Sequence, residues 1–290
     1  VVPTERGAVS MRDFLRQQGF SATQWRRIKN VGTIECNGEL CAKPPMLAAG
    51  DLIKISLPVA ENANLLPEYG SLKILWEDEY LLIVSKPAGM LIHPTVNALN
   101  GTLGNLVLGY YRSRGLQLSY HPLTRLDKDT SGVVIIAKNA YVQNLCSKIE
   151  LQKHYLAVVM RHEQQRLLMI YKPIARKPGS IIERQVDEAA GKEAQTQLEL
   201  LADYGGPGLM KVRIFTGRTH QIRVHCAYLQ MPIVGDELYG GNHELIERQA
   251  LHAWTVSFIH PITGAKLSVR DYLPEDTRVL LKNIREKHNS

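Results

Sequence analysis

The stretch HPLTRLDKDTSGVVIIA, residues 121–137, decides how this chain folds, because it leads a charged turn directly into an apolar strand. Its last five residues, 133–137, are apolar and rich in β-branched side chains, which is typical of a strand buried on both faces. The turn before that strand carries four charged residues, Arg125, Asp127, Lys128 and Asp129. Charge is costly beside a core unless it is paired or used. The sequence therefore places either a paired turn or part of a functional site next to the core.

Asp127 is the residue of this turn with the clearest chemical use. The cations Arg125 and Lys128 on either side of it favour an ionised carboxylate. Such a carboxylate can act as a nucleophile or as a general base when it is held at the mouth of a site. The same residues also suit an ordinary turn, since Asp, Thr and Ser bond their own backbone and Gly132 supplies a positive φ angle. The spacing alone leaves both interpretations open.

The composition indicates a globular, basic protein. A chain of 290 residues can form one large domain, or a large domain and a small one. Lys and Arg total 35 against 28 Asp and Glu, and the resulting charge of +7 favours polyanionic partners such as nucleic acid. The four cysteines form no CxxC pair, which indicates neither a zinc site nor a disulfide framework.

Several classes of protein are disfavoured by what the sequence lacks. No apolar run approaches the roughly 20 residues that cross a bilayer, and the N-terminal residues do not resemble a signal peptide. We therefore expect a cytoplasmic protein without membrane contact. The sequence has no P-loop, no glycine-rich dinucleotide turn and no HExxH motif. We expect no nucleotide cofactor and no catalytic metal.

Residues 1–58 are predicted to form a small N-terminal module. It contains two helices, over residues 11–18 and 24–30, each preceded by Ser or Thr as a candidate cap. An Asn37-Gly38 pair is typical of a hairpin turn between two strands. The second helix carries three outward-facing cations, which either are solvated or contact the phosphate backbone of a nucleic acid: Arg26, Arg27 and Lys29.

A linker is predicted over residues 59–70, because proline and a polar stretch interrupt the aliphatic periodicity. A second domain would then span residues 71–290. It opens with two predicted strands that end at KPAG, residues 86–89. For Lys86 the sequence leaves three roles open, as a solvated cation, a contact to a phosphate of a polyanionic partner, or a support for the Asp127 turn.

Three further segments follow that turn. Residues 139–151 have the spacing of a helix, and KHYLAVV, residues 153–159, has the pattern of a strand. A tyrosine in a strand, such as Tyr155, usually belongs to a core. GRTHQIRVH, residues 217–225, runs from a glycine turn into a helix for which Thr219 is the candidate cap. The start of a helix presents unpaired N–H groups that attract anions, and the arginines here add positive charge.

These motifs closely resemble those of the RluA-type pseudouridine synthases. RLDKDTSG at residues 125–132 is similar to their R-L-D-x-x-T-S-G signature, and residues 153–159 match their K-x-Y-x-A-x-V element. The string at residues 217–225 resembles their G-R-T-H-Q-I-R-V-H motif almost residue for residue. One position departs from the pattern, since Thr124 stands where the family usually has His. The order of helices, hairpin and strand in residues 1–57 resembles an S4 domain, a module that binds structured RNA.

The resemblance implies a role for each motif. Asp127 would be the catalytic nucleophile, and Tyr155 would stack on the target base and could help to remove a ribose proton. Arg223 would pair with the Asp127 carboxylate, with Arg218 as the alternative partner. The other residues that we predict to bind or brace the RNA substrate are Arg125, Lys86, Thr130, Arg218, His220 and Gln221, together with Arg26, Arg27 and Lys29 of the S4-like module.

The fold that the resemblance implies is α+β, with a small S4-like domain followed by a catalytic domain built on a mixed, largely antiparallel sheet. The activity that it implies is isomerisation of uridine to pseudouridine in structured RNA, without cofactor or metal. Large-subunit ribosomal RNA is the expected substrate, transfer RNA is the alternative, and a monomer is the expected state. Two other hypotheses are an inactive RNA-binding or assembly factor, which only Thr124 supports, and a hydrolytic glycosidase that releases uracil.

Overall fold

A computed structural model describes residues 1–3, 8–57, 65–161 and 165–289 of the chain. The helices within these ranges are α1 Met11–Gln17, α2 Ala22–Val31, α3 Leu103–Ser113, α4 Ala140–Cys146, α5 Gln221–Tyr228 and α6 Glu275–Asn289, with a short 3₁₀ helix at Glu237–Tyr239.

The strands, in chain order, are β1 Val9–Ser10, β2 Thr33–Cys36, β3 Glu39–Leu40, β4 Met46–Leu47, β5 Ile53–Ser56, β6 Lys73–Glu77, β7 Leu81–Lys86, β8 His121–Pro122, β9 Ser131–Ala137, β10 Gln152–Met160, β11 Leu167–Tyr171, β12 Ile174–Arg176, β13 Arg184–Val186, β14 Gln195–Asp203, β15 Pro207–Ile214, β16 Leu251–Ile259 and β17 Lys266–Arg270.

The N-terminal segment has its own small core between the two helices and the strands. Ser21 caps α2, since its hydroxyl accepts from the Gln24 backbone N–H. Asn37 and Gly38 adopt φ angles of 53° and 88°, as a two-residue hairpin turn requires. Ile28 of α2 is fully buried, whereas Arg26 and Lys29 are exposed. The predicted helices and hairpin are confirmed, and α2 begins two residues earlier than predicted.

The predicted linker is only partly described, because residues 59–64 lie outside the described ranges. The rest of it, residues 65–70, packs against α3. Leu65 is 9% exposed and belongs to the core beneath that helix, and the Glu68 backbone N–H donates to Asn105 O at 2.9 Å. These contacts attach residues 65–70 to α3.

A ten-stranded sheet forms the body of the second domain. Its strands lie in the order β11-β14-β15-β10-β16-β9-β7-β6, with β17 paired to β16 and β8 paired to β9. Among the described strands, only β9 and β16 pair in parallel. The expected α+β fold with a large, mostly antiparallel sheet is confirmed.

Strand β9 lies near the centre of this sheet, and every residue of it is buried. Val134 and Ile136 contribute to the core that contains α3. Val133 and Ile135, which point to the opposite face, contribute to the core that contains α4. Because successive side chains of a strand alternate between faces, an apolar run without polar interruptions supplies both cores. The prediction of a strand buried on both faces is confirmed.

The helix after β9 is shorter than predicted. Asn139 caps α4 by accepting from the Val142 N–H at 2.9 Å. The helix ends at Cys146, although the predicted helix extended to residue 151. The difference arises because the chain must turn before β10, which starts at Gln152. The helical spacing of apolar residues extends beyond Cys146, but the connection to β10 ends the helix there.

Candidate active site

Asp127 lies in the loop between β8 and β9, at the edge of a pocket of about 470 Å³. Its side chain is 27% exposed. Backbone bonds shape the loop, since the Thr130 N–H donates to Asp127 O at 3.1 Å. The Thr124 hydroxyl accepts from the Ile135 N–H at 3.2 Å, which ties the start of the loop to β9. The residue that departs from the family pattern therefore has a structural contact of its own.

Arg223 of α5 reaches Asp127 from the opposite wall of the pocket. Its Nη1 lies 3.2 Å from Asp127 Oδ2. Its Nε and Nη2 donate to the two carboxylate oxygens of Asp236 at 2.7 and 2.8 Å. Burial disfavours the charge of this guanidinium, but Asp236 and Asp127 together raise its pKa. A planar guanidinium held on both carboxylates keeps a fixed direction, as bidentate arginine pairs do.

Arg218, the alternative partner, lines the same pocket but makes a different contact. Its side chain is exposed, and its Nε donates to Glu193 O at 2.8 Å. The sequence left two arginines as possible partners of Asp127, and Arg223 is the one that contacts it in the structure.

Tyr155 of β10 lines the same pocket and is 7% exposed. Burial, with a smaller contribution from the negative charge of Asp127, raises the pKa of its phenol. The hydroxyl is therefore held in its neutral form at ordinary pH, which makes it a poor proton acceptor. Its side chain forms part of the pocket wall that a ligand would meet.

The start of α5 differs from the prediction. Thr219 does not cap the helix, because His220 occupies the N-cap position with a left-handed φ of 57° and no capping side-chain bond. Gln221, the first residue of α5, holds the preceding turn in place, since its Oε1 accepts from the Arg218 N–H at 3.0 Å. In this left-handed conformation the ring of His220 faces the pocket, and its Nε2 lies 3.8 Å from Asp127 Oδ1.

Gln221 is buried, with 3% exposure, and its amide is fully engaged. Its Nε2 donates to Gln195 O at 2.9 Å and to Thr196 Oγ1 at 3.0 Å. Its Oε1 also accepts from the Thr216 hydroxyl at 2.8 Å. Of the two roles that the resemblance allowed, lining or bracing the site, these contacts favour bracing, because they attach the α5 start to β14.

Lys86 was predicted among the RNA-binding residues, and the structure corrects this. Its side chain is fully buried, so that the ammonium cannot reach a phosphate. Nζ donates to the carbonyls of Pro87, Met90 and Lys128 at 2.9, 2.8 and 2.8 Å. Burial lowers the pKa of Lys86 to about 7, and the charges of Asp129 and Asp127 oppose that shift. Because its ammonium binds the backbone carbonyl of Lys128, Lys86 supports the loop that carries Asp127.

Thr130, also predicted among the RNA contacts, lines the same pocket as Asp127. It is 2% exposed, and its Oγ1 accepts from Gln249 Nε2 at 3.2 Å. Its hydroxyl therefore holds the loop against the segment that precedes β16. Arg125 is exposed and lines the same pocket. The predicted cations of the N-terminal segment lie on α2 and do not line the pocket.

Two residues of the site were missed from the sequence, Asp236 and Tyr239. Both belong to GDELYG, residues 235–240, and Gly235 has a positive φ of 80°. Asp236 is 1% exposed and holds Arg223, while the ring of Tyr239 lies under the same guanidinium at 4.9 Å. The available signal was a Gly-Asp pair after an apolar segment, a pattern that is also typical of an ordinary turn.

The rest of the described chain holds little that suggests another kind of site. Within the described ranges, no group of three His, Cys, Asp or Glu side chains could hold a metal ion. Cys36, Cys41, Cys146 and Cys226 are free thiols. In the same part of the chain, no helix has the length and apolar character that spanning a bilayer would take.

Comparison with known proteins agrees with this geometry. The sequence model of the RNA pseudouridylate synthase family matches residues 80–228. The chain is 34% identical over 280 residues to the uncharacterized RNA pseudouridine synthase YjbO of Bacillus subtilis, covering 94% of this chain and 99% of that protein. It is 33% identical over 288 residues to the ribosomal large subunit pseudouridine synthase D of Xanthomonas campestris, covering 92% and 86%.

The fold is also found in a solved structure. The human RNA pseudouridylate synthase domain containing 4 superposes with a TM-score of 0.60 at 22% sequence identity, covering 73% of this chain and 93% of that one. At that identity the match supports the fold. Together with the sequence matches over most of the length, it shows that this chain belongs to the RNA pseudouridylate synthase family.

Proposed function

We propose that this protein isomerises uridine to pseudouridine in large-subunit ribosomal RNA, with Asp127 as the nucleophile. The observation that carries the proposal is the position of the Asp127 carboxylate, which faces a pocket while Arg223 holds one of its oxygens at 3.2 Å. The ribosomal substrate is supported by the relative from Xanthomonas campestris, whose name states that RNA class.

In the proposed reaction, Asp127 attacks C1′ of the ribose, and the bond between C1′ and N1 of uracil breaks. The detached base rotates, its C5 bonds to C1′, and the carboxylate is released. The proton on C5 is then lost to solvent while N1 takes up one proton, so the mass of the RNA is unchanged. Arg223 directs the carboxylate, and the ring of Tyr155 supports the base while it turns.

The target uridine must leave its stack before Asp127 can reach the sugar. Extrusion of a base costs a few kcal/mol and is cheapest in loops and single strands. Contacts with phosphates can offset this cost. Arg125, which is exposed and lines the pocket, is placed to supply one of them.

We propose that residues 1–58 act as an S4-like RNA-binding module. Its support is the small two-helix core and the exposed cations Arg26 and Lys29 on α2. A groove of about 730 Å³ separates the start of α2 from α4 and shares Leu123 and Lys153 with the Asp127 pocket. RNA bound to the module can therefore continue to the pocket along one surface.

The test is tritium release from RNA labelled at C5 of uracil, with ribosomal and transfer RNA as substrates. Replacing Asp127 by Asn keeps the size of the side chain and removes the nucleophile. We expect the rate to fall by at least ~10⁴-fold, as for the loss of a catalytic nucleophile in other enzymes. Asp203→Asn, which alters an ion pair with Arg161 outside the pocket, is the matched control and should keep the wild-type rate.

The alternatives predict different outcomes. A hydrolytic glycosidase would release uracil and lower the mass of the RNA, whereas isomerisation does not change it. An inactive RNA-binding factor would bind RNA and release no tritium from either class. Release from transfer RNA alone would replace the proposed substrate. The contact between Thr124 and β9 favours the active enzyme, since the departing residue is accommodated in the loop.

A further inference from the structure

Tyr239 lies between two polar groups on the far side of His220 from Asp127. Its hydroxyl accepts from the Arg184 backbone N–H of β13 at 2.9 Å. The same oxygen lies 2.8 Å from His220 Nδ1. The two rings meet edge to face, with centroids 5.7 Å apart. Tyr239 thus connects a β-hairpin to the histidine that faces the proposed nucleophile.

The direction of the bond between Tyr239 and His220 follows from the donors present. The Arg184 N–H can only donate, so it occupies one lone pair of the phenol oxygen. Among the described residues, no other acceptor for the Tyr239 hydroxyl lies within hydrogen-bond distance. If His220 Nδ1 carried a proton, the phenol proton would lack a partner, which costs free energy at a half-buried position. The arrangement that satisfies both groups within the protein is therefore the one in which the Tyr239 hydroxyl donates to Nδ1.

The charged groups around His220 agree with a neutral ring. Burial is the largest influence and lowers its pKa, and the cations Arg223 and Arg184 lower it further. Asp127 and Asp236 act in the opposite direction, but the net shift remains downward. A neutral imidazole carries one proton, and when Nδ1 accepts a bond that proton is on Nε2.

We infer that Tyr239 is a positioning residue, which holds His220 as the neutral tautomer with its proton on Nε2, directed at Asp127 Oδ1. Both oxygens of Asp127 would then face a nitrogen donor, Arg223 on Oδ2 and His220 on Oδ1. The present separation of 3.8 Å exceeds a hydrogen bond, and contacts of this kind commonly tighten when substrate binds. The kinetic part of this inference rests on the proposed function.

Tyr239→Phe removes the hydroxyl and leaves the ring that lies under Arg223. Nδ1 then loses the donor that kept it unprotonated, so we expect the pKa of His220 to rise. With imidazolium or the other tautomer populated, the orientation of Asp127 is less well defined. We expect kcat to fall roughly five- to tenfold, the effect of losing one neutral hydrogen bond, with little change in KM.

The first experiment needs no RNA, so it is independent of the proposed function. Nitrogen chemical shifts of ¹⁵N-labelled histidine distinguish the two tautomers and the imidazolium, and the spectrum of His220→Gln assigns the resonances. In the wild-type protein at pH 7.5 we expect His220 to carry its proton on Nε2 alone. In Tyr239→Phe we expect a shift toward imidazolium or the Nδ1–H form. A wild-type ring protonated on Nδ1, or a ring that does not respond to the substitution, would overturn the inference.

The second experiment is the pH profile of tritium release, with Tyr120→Phe as the control. Tyr120 is also buried, and its hydroxyl donates to Ile92 O at 2.9 Å, remote from His220. If the hydroxyl groups only stabilised the fold, both substitutions would lower the rate and leave the shape of the pH profile unchanged. We expect only Tyr239→Phe to move the acidic limb of the profile upward in pH. Equal profiles for both variants would contradict a role in positioning the proton.

Discussion

Arg223 performs two tasks that no other cationic side chain could combine. Two of its nitrogens are taken by the Asp236 carboxylate, and the third faces Asp127. The ring of Tyr239 covers one side of the guanidinium at 4.9 Å. The direction of the Asp127 carboxylate therefore depends on a planar group with several donors, in addition to a positive charge.

Arg223→Lys tests this argument, because it keeps the positive charge and removes the planar set of donors. A lysine ammonium could reach Asp236 or Asp127 with good geometry, but not both. We expect kcat for tritium release to fall about 10²-fold, the cost of losing one well-placed donor in an active site. Arg161→Lys, at the ion pair with Asp203 outside the pocket, is the matched control and should retain its rate. A kcat for Arg223→Lys within twofold of wild type would show that charge alone suffices.

At the scale of elements, β9 owes its position to a close approach to β16. Gly132 pairs with Ala253 in the parallel ladder and has a φ of +117°. A Cβ at this position would lie 2.2 Å from the Ala253 carbonyl oxygen. The approach brings the loop that holds Asp127 beside β10, where Tyr155 lies, because β16 pairs with both strands.

Gly132→Ala should therefore be severely destabilising. Backbone overlap and an unfavourable φ angle act together, and we expect a loss of about 4 kcal/mol in the free energy of unfolding. Gly89→Ala is the control, since Gly89 also has a positive φ, of 80°, but open space at its Cβ position. There the loss should be about 1 kcal/mol. Denaturant unfolding of both variants measures the difference, and equal losses would contradict the steric argument.

At the scale of the whole molecule, the N-terminal segment docks on α4. The rings of Phe20 and Tyr141 stack with centroids 4.2 Å apart. The Tyr141 hydroxyl donates to Gln18 O at 2.9 Å, and Gln24 Nε2 donates to Ala140 O at 2.7 Å. Since α4 directly follows β9, the docked segment is attached near the strand that carries the Asp127 loop.

Tyr141→Ala should weaken this docking by about 2 kcal/mol, the sum of an aromatic stack and one hydrogen bond. We expect lower affinity for RNA, faster amide exchange in α2, and an unchanged kcat at saturating RNA. Tyr141→Phe keeps the stack and loses only the hydroxyl, so its effect should be about half as large. An RNA affinity equal to that of wild type in Tyr141→Ala would show that this contact does not hold the segment in place.

Acidification should destabilise the whole fold through buried histidines. His225 is fully buried between Thr196 Oγ1 and Lys172 O, and burial lowers its pKa below the ordinary 6.5. Below pH 6.5 the unfolded chain takes up a proton that the folded chain refuses, so stability is unaffected above this pH and falls below it.

Each such histidine contributes a slope of at most about 1.4 kcal/mol per pH unit. The free energy of unfolding, measured by denaturant titration between pH 7.5 and 5, should show this decline. In His225→Gln the slope should be smaller, because glutamine does not titrate. A slope that is identical in this variant would assign the decline to other groups.

The sequence by itself determined the local features of the protein. The apolar run of β9, the Asn37-Gly38 hairpin, and the family motifs that contain Asp127, Tyr155 and Arg223 can all be identified from the order of the residues. Each depends on neighbours along the chain, through side-chain periodicity, turn geometry or a contiguous motif. Boundaries were less certain, as α4 shows, because the end of a helix also depends on where the next strand must begin.

Only the tertiary structure decided which side chains meet. Arg223 and Asp127 are 96 positions apart, and the choice of Arg223 over Arg218 required the packing of α5 against the sheet. The burial of Lys86, and the roles of Asp236 and Tyr239, were equally hidden. The physical reason is that burial and hydrogen bonding are properties of a packed environment, to which distant segments contribute, whereas a sequence motif records only the residues that are adjacent in the chain.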